Sequence, residues 1–390
     1  MEPNTVDEEQ AEKELEEQEA YRSVFTEWMT YEPDGQTIIT DRFDDLHVIE
    51  RLEEIAKQLA STAEMPTKVV TDQSGRKVTV LTQTGKDVMA LCRLFDPSFS
   101  TRHGHHVFNP WIRTMLAALC HWCGGDEFGQ PHPEIGIVSV DRIHLDRIVR
   151  FVRSACRSWV FERILKNEKR LARQNFRSAC AYLISLFVLY SRLLILRIDV
   201  YYKGEGKAWA RTEEAKAAFE RFLRQLRNGR IVPDVLGCLH RREEGPERGI
   251  HFHILVVMDG HKRKDAHGYT EAIGKRWVEH YTGRERGSYF NCYAHRHAYR
   301  FNGLGLVHLS DWRKLLGLRI ALRYITKPEY RVKVKGKASH AGTTKGKVKK
   351  NAGKSFRRGN FKRADVKLGA RRKLGHEMAT VLRILGPTGT

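Results

Sequence analysis

The spacing of apolar positions changes several times along the chain, and each change predicts an element. Leu193 to Tyr202 is an almost unbroken apolar run carrying Arg197 and Asp199, the pattern of a buried central strand. Glu213 to Arg227 sets Ala215, Ala218, Phe219, Phe222, Leu223 and Leu226 at helical spacing, with Gly229 as its stop. Val235 to Glu243 reads as a second strand, and the turn from Glu244 to Gly249 leads into a third, Ile250 to Val257. Leu315 to Lys327 reads as a helix ended by Pro328. Nearer the N-terminus, Asp45 to Leu59 is amphipathic-helical, and Lys68 to Gln83 alternates like a hairpin around Gln73-Ser74-Gly75. Trp111 to Cys120 and Val140 to Leu189 then read mainly helical.

Chemistry concentrates in the third strand. Side chains alternate between the faces of a strand, so His251 and His253 emerge together while Phe252 points into the core. A hairpin with so short a turn brings the end of one strand beside the start of the next, so Glu243 is expected near both histidines. His240 and Glu244 are rival third ligands, and a solvated hairpin charge is the plain alternative for Glu243. Two imidazoles and a carboxylate with open positions suit Mg²⁺ or Mn²⁺ holding a phosphate oxygen. In the later helix Tyr324 and Lys327 lie one turn apart on one face. Nearby cations favour the phenolate of a tyrosine, though an isolated pair of this kind is more often an amphipathic Tyr with a snorkelling Lys.

Taken in order, a hydrophobic first strand, the His251-Phe-His253 strand and the Tyr324-Ile-Thr-Lys327 helix resemble the HUH single-strand endonucleases of rolling-circle replication initiators. The closer likeness is to the inovirus-type replication proteins of filamentous phages and prophages. It is echoed by Arg197-Ile198-Asp199, Gly237 to Glu243 with Gly245, Gly249, Asp259-Gly260, Trp277, Ser288 to Cys292 and Ser355 to Arg358, and spans roughly residues 190 to 360. The resemblance implies an α+β fold, an HUH-type endonuclease domain whose central antiparallel sheet is flanked by helices. It implies nicking of single-stranded origin DNA with Tyr324 as nucleophile, Lys327 beside it, His251, His253 and Glu243 as metal ligands, and a 5′-phosphotyrosine intermediate. A later 3′-hydroxyl reverses the step and closes the strand. Ile320 stands one turn before Tyr324, where some phage initiators carry a second tyrosine, and Tyr330 lies beyond Pro328.

Charge adds a partner. The chain has 68 Lys and Arg against 47 Asp and Glu, a net of +21, which biases it toward polyanions. The excess is uneven: Glu8 to Glu19 is acidic, whereas the stretch beyond Pro328 is rich in Lys, Arg and Gly. Arg197, Arg323, Arg331, Lys333 and Lys335 are the expected DNA contacts. The aromatic and cationic segment Tyr289 to Phe301 suits either base stacking or core packing. Arg150 to Arg173 is a run of cations on a helix, most simply a solvated face. The expected domains are an acidic disordered segment at 1–40, a mainly helical domain at 41–190, the endonuclease at 191–330 and a basic tail at 331–390.

Other features narrow the reading. Seven cysteines form no disulfide framework, and no signal peptide or transmembrane run is evident, so a cytoplasmic setting is expected. Cys120 and Cys123 have the spacing of half a zinc site, but no second pair exists and Cys120 fits an apolar helix pattern. No phosphate-cradling loop is present, which leaves strand separation to a host helicase and extension to a host polymerase. A non-catalytic DNA-binding regulator on the same fold and a single-tyrosine transposase are the alternatives.

Overall fold

A computed structural model describes residues 29–31, 37–39, 43–96, 98–99, 106–122, 142–245, 249–299, 301–326, 332–334, 356–358 and 376–386. These fall into two compact units. One comprises the described residues from 29 to 169 with 332–334; the other comprises 170 to 326 with 356–358 and 376–386.

In the first unit, strands β1 (Met29–Tyr31) and β2 (Thr37–Ile39) pair antiparallel, and helix α1 (Phe43–Ser61) follows. Ile49, Leu52, Ile55, Ala56 and Leu59 form the buried stripe of α1, as the helical spacing requires. Strands β3 (Thr67–Thr71) and β4 (Lys77–Leu81) make the expected hairpin. At its tip Asp72 Oδ1 accepts from the Ser74 and Arg76 amides, each at 2.8 Å, while Gly75 takes φ +81°. Helix α2 (Gln83–Leu94), strand β5 (His106–Phe108) and helices α3 (Pro110–Trp122) and α4 (Arg142–Cys156) complete the order, and β5 pairs with the short strand Val332–Val334.

Two members of the arginine run cap a helix rather than simply facing water. Arg153 donates to the Leu59 and Glu64 carbonyls at 3.2 and 2.9 Å, and Arg157 to those of Ala60 and Thr62 at 3.0 and 2.9 Å. They satisfy the orphan carbonyls at the C-terminal end of α1 and the turn after it, where cations are favoured.

Helix α5 (Trp159–Phe187) crosses the division between the units. The second unit is built on a six-stranded antiparallel sheet. Its strands are β6 (Arg192–Tyr202), β7 (Val235–Gly245), β8 (Gly249–Asp259), β9 (Gly287–Asn291), β10 (Gly305–His308) and β11 (Phe356–Arg358), in the order β10-β6-β8-β7-β11. Strand β9 joins the edge of β6 that β10 leaves open, pairing along Ile198 to Tyr202.

Helix α6 (Glu213–Arg227), with the bounds its spacing predicts, and helix α7 (Ala266–Trp277) cover one face. There Phe219 stacks on Phe252 with centroids 3.5 Å apart, and Trp277 is fully buried. The other face is covered by the C-terminal half of α5, by helix α8 (Trp312–Thr326) and by helix α9 (Ala379–Leu385). Gly317 of α8 meets Gly303 so closely that a Cβ on either would strike the other's backbone; this contact seats α8.

Two expected boundaries are corrected. Ala179, Tyr182, Leu183, Leu186 and Phe187 of α5 belong to the sheet's core, so the second unit begins near residue 170 rather than 190. Phe356, Met378, Val381, Ile384 and Leu385, assigned to a basic tail, are also buried in that core. Lys and Arg dominate the composition of this stretch and obscure a few apolar positions whose burial is worth about 1.5–3 kcal/mol each. Among the described residues, no helix is long and apolar enough to cross a membrane.

Candidate metal centre

The register of the sheet builds the site in two rows. Glu243, His251 and Tyr201 face one another across β7, β8 and β6; one step along, Arg241, His253 and Asp199 do the same. Strand alternation puts both histidines on the α8 face and sends Phe252 into the opposite core, as the sequence indicates. Gly249 opens β8 at φ +63°, a conformation suited to glycine at the hairpin's return.

Glu243, His251 and His253 are buried, and one ligand atom from each lies within 4.8 Å of the others. Glu243 Oε2 is the meeting point, 3.0 Å from His253 Nε2 and 3.5 Å from His251 Nε2. The far nitrogen of each ring is also held. His251 Nδ1–H donates to the Gly249 carbonyl at 3.1 Å, and His253 Nδ1 lies 2.7 Å from Asp199 Oδ1. Such partners on Nδ1 leave Nε2 as the ligand atom. A buried Glu/His/His group of this kind could bind a metal ion. The donor set of two imidazoles and a carboxylate with supporting partners fits a divalent ion, and several metals share that preference.

Electrostatics fix the charge states. Burial pushes Glu243 toward the neutral acid, but Arg241, with Nε 2.7 Å from Oε1, and then His253 outweigh it and hold the carboxyl well below the usual range. Burial likewise disfavours the His253 cation, yet Asp199 and Glu243 together raise its pKa. Arg197 Nε sits 3.8 Å from Asp199, and its cation is retained despite burial.

Tyr324 reaches the same place from α8. Its ring centroid is 5.1 Å from that of His253, and the Arg197 guanidinium lies 4.3 Å over its face. Three elements far apart in sequence thus meet at one cluster.

Other expected residues are placed differently. His240 lies on the opposite sheet face, against Phe219, so alternation removes it as a rival ligand. Arg197, expected as a DNA contact, is only 7% exposed and packs under Tyr324, where it is no surface cation. Arg323 is half-buried with its guanidinium 5.4 Å over Phe176. Lys333 is in the short strand paired with β5, in the first unit. Lys327, Arg331, Lys335 and Tyr330 lie outside the described residues, as does Cys123; Cys120 is exposed on α3. In the segment from Tyr289, Tyr289 donates to Glu271 at 2.7 Å, Phe290 stacks on His295 and Arg296 covers Tyr293, so packing engages these aromatics. Asp199 and Arg241 complete the cluster. Their signal was parity: 197 and 199 on β6, and 241 and 243 on β7, must share faces.

Comparison with family models, with characterised proteins and with solved structures finds no match to the chain.

Proposed function

We propose that this protein nicks single-stranded DNA at an origin by metal-assisted tyrosine transesterification, as a rolling-circle replication initiator. The observation that carries this reading is the convergence of Tyr324 on His251, His253 and Glu243. The family likeness in the order of the motifs supports it.

In this reading the Tyr324 oxygen bonds to the phosphorus of a scissile diester and the bond from phosphorus to the 3′-oxygen breaks. The phenol gives up its proton and the departing 3′-oxygen gains one, so the diester count is conserved and a 3′-hydroxyl is released for a polymerase. A divalent ion held by His251, His253 and Glu243 would supply Lewis-acid stabilisation of the phosphate oxygens. Arg197 packs on the Tyr324 ring and fixes its position, while Asp199 fixes the ring of His253. Lys327, one turn on in sequence, is assigned to the same chemistry by the Tyr-x-x-Lys likeness.

A labelled single-stranded oligonucleotide carrying the origin of the protein's own replicon, incubated with Mn²⁺, tests this directly. The expected result is a covalent protein–DNA band on a denaturing gel that needs metal and is absent with Tyr324→Phe. A band that persists in the variant moves the nucleophile elsewhere, with Tyr330 next. Binding without any band favours the second reading, a DNA-binding regulator with a structural metal. The deep burial of the ligand side chains, at 1 to 6% exposure, speaks for that alternative.

A further inference from the structure

The start of α5, in the first unit, presents an aromatic ring and a row of cations to solvent. Trp159 is 68% exposed, the most open large hydrophobic residue among those described, and Val160 beside it is 44% exposed. Trp159, Arg163 and Lys166 stand at i, i+4 and i+7, so they share one face of the helix, and all three are exposed. The Arg163 guanidinium lies 4.9 Å from the Trp159 ring centroid. The opposite side of this turn is engaged in packing: Phe161 is buried and meets Trp111 edge-on at 4.6 Å.

The charge around this face is one-sided. Residues 147–169 hold seven Lys and Arg against Glu162 and Glu168. Glu162 pairs with Lys166 at 3.0 Å, an exposed contact that water and salt screen. Arg153 and Arg157 are engaged by backbone carbonyls. Even so, burial and then Arg157 and Arg150 lower the Arg153 pKa, so cations crowd the end of α4. Arg147 and Arg150 on α4 and Lys169 on α5 are exposed as well. Like charges one turn apart destabilise a helix, and an anionic ligand relieves that repulsion.

We propose that this face binds single-stranded nucleic acid, with residues that the metal centre does not use. Such a strand presents flat bases and anionic phosphates in alternation, which an exposed indole among cations matches. In a duplex the bases stack on one another and are closed to the indole, so a duplex meets the cations alone. A helix lying on a membrane needs a broad apolar face, and here the apolar side is already packed. The inference goes beyond the nicking reading and rests neither on Tyr324 nor on a metal ion.

The test is photocrosslinking of the full chain, in EDTA, to an oligonucleotide of 5-bromodeoxyuridine. Tryptic mapping reads the site locally, because cleavage after Arg157 and Arg163 releases Ser158–Arg163, the peptide that carries Trp159. An adduct on this peptide is expected in the wild type, and its loss in Trp159→Ala, a change that removes little packing at so exposed a position. Unlabelled oligothymidine should suppress the adduct about tenfold more effectively than a duplex of equal length or polyglutamate, as base stacking requires. Lys166→Gln leaves both cleavage sites in place. It should lower the slope of log affinity against log salt, read by that competition, by about 0.7 for the one lost phosphate contact. Lys77→Gln, an equal loss of charge on the exposed β3–β4 hairpin, should leave the adduct and the slope unchanged.

Adducts elsewhere without one on Ser158–Arg163 overturn the inference, as does a map with none, and neither result needs a variant to fold. An adduct that persists in Trp159→Ala overturns it too. Equal competition by the duplex or by polyglutamate makes the face a general polyanion or acidic-protein site and likewise overturns it. A Tyr324-dependent covalent band without this adduct would remove this inference and leave the nicking reading; the adduct without the band would do the reverse.

Discussion

Two buried histidines on neighbouring strands of one sheet have opposite charge preferences. His253 on β8 faces α8, between Asp199 and Glu243, and these carboxylates overcome burial and raise its pKa. His240 on β7 points to the other face, where it packs on Phe219 and accepts from Arg227 Nη2 at 3.4 Å. Burial, then Arg227 and Arg357, push its pKa down to about 3. Residue type and depth are alike; the neighbours delivered by strand parity differ. One face carries opposite charges around imidazoles, and on the other, among the described residues, the imidazole of His240 meets the Phe219 ring and the cations Arg227 and Arg357. A metal ion needs the first arrangement, because it must find a carboxylate and basic nitrogens together.

The largest expected break in that contrast is His253→Ala. It removes a ligand and leaves Asp199 and Glu243 without the cation between them. Buried pairs broken this way cost about 3–5 kcal/mol. Mn²⁺ should no longer raise the thermal midpoint of the variant, whereas it should raise that of the wild type. The circular dichroism spectrum of the variant should stay like that of the wild type, and its collapse in step with the loss of metal binding would make His253 a purely structural residue. A smaller effect is expected from Asp199→Asn, which keeps the shape and the contact to His253 Nδ1 but not the charge. Partners behind a metal-binding histidine are worth about 10–100-fold in affinity. Mn²⁺ titration reads this directly, and an unchanged affinity would mean that Asp199 does not orient the ring.

Much of this face is legible in the sequence. Alternation alone placed His251 and His253 together, and the short turn after Glu243 brought the carboxylate to them. Alternation also holds the reason to discard His240, since 240 and 243 have opposite parity on β7. Arg241 and Asp199 were harder to see, because their role depends on the pairing register across three strands, which no local pattern specifies. The packing of Arg197 under Tyr324 was hidden for a similar cause: it requires knowing that α8 seats its C-terminal half over β6 and β8. The core's last pieces, β11 and α9, escaped because their few apolar residues sit among cations, where composition outweighs periodicity.

His240 offers the finest test of the contrast, through acid sensitivity. An unperturbed histidine titrates near pH 6.5, and the unfolded chain should behave so, whereas the folded chain resists the proton until about pH 3. Above pH 6.5 neither state binds it, and the stability gained by burying the neutral ring is fully present. As pH falls below 6.5 the unfolded state takes up the proton first and is favoured, so stability falls progressively until the folded ring also titrates. Between pH 7 and pH 5 this one group should remove about 2 kcal/mol, since each unit of unshared protonation is worth about 1.4 kcal/mol. His240→Leu keeps the ring's apolar contacts with Phe219 in part and abolishes the titration. Urea unfolding of wild type and variant at both pH values isolates the effect as a difference of differences. The variant should lose about 2 kcal/mol less on acidification, even though the groups around His253 titrate in both proteins. Identical losses would place His240 in a setting that tolerates its charge, and the two faces of the sheet would then differ less than their neighbours suggest.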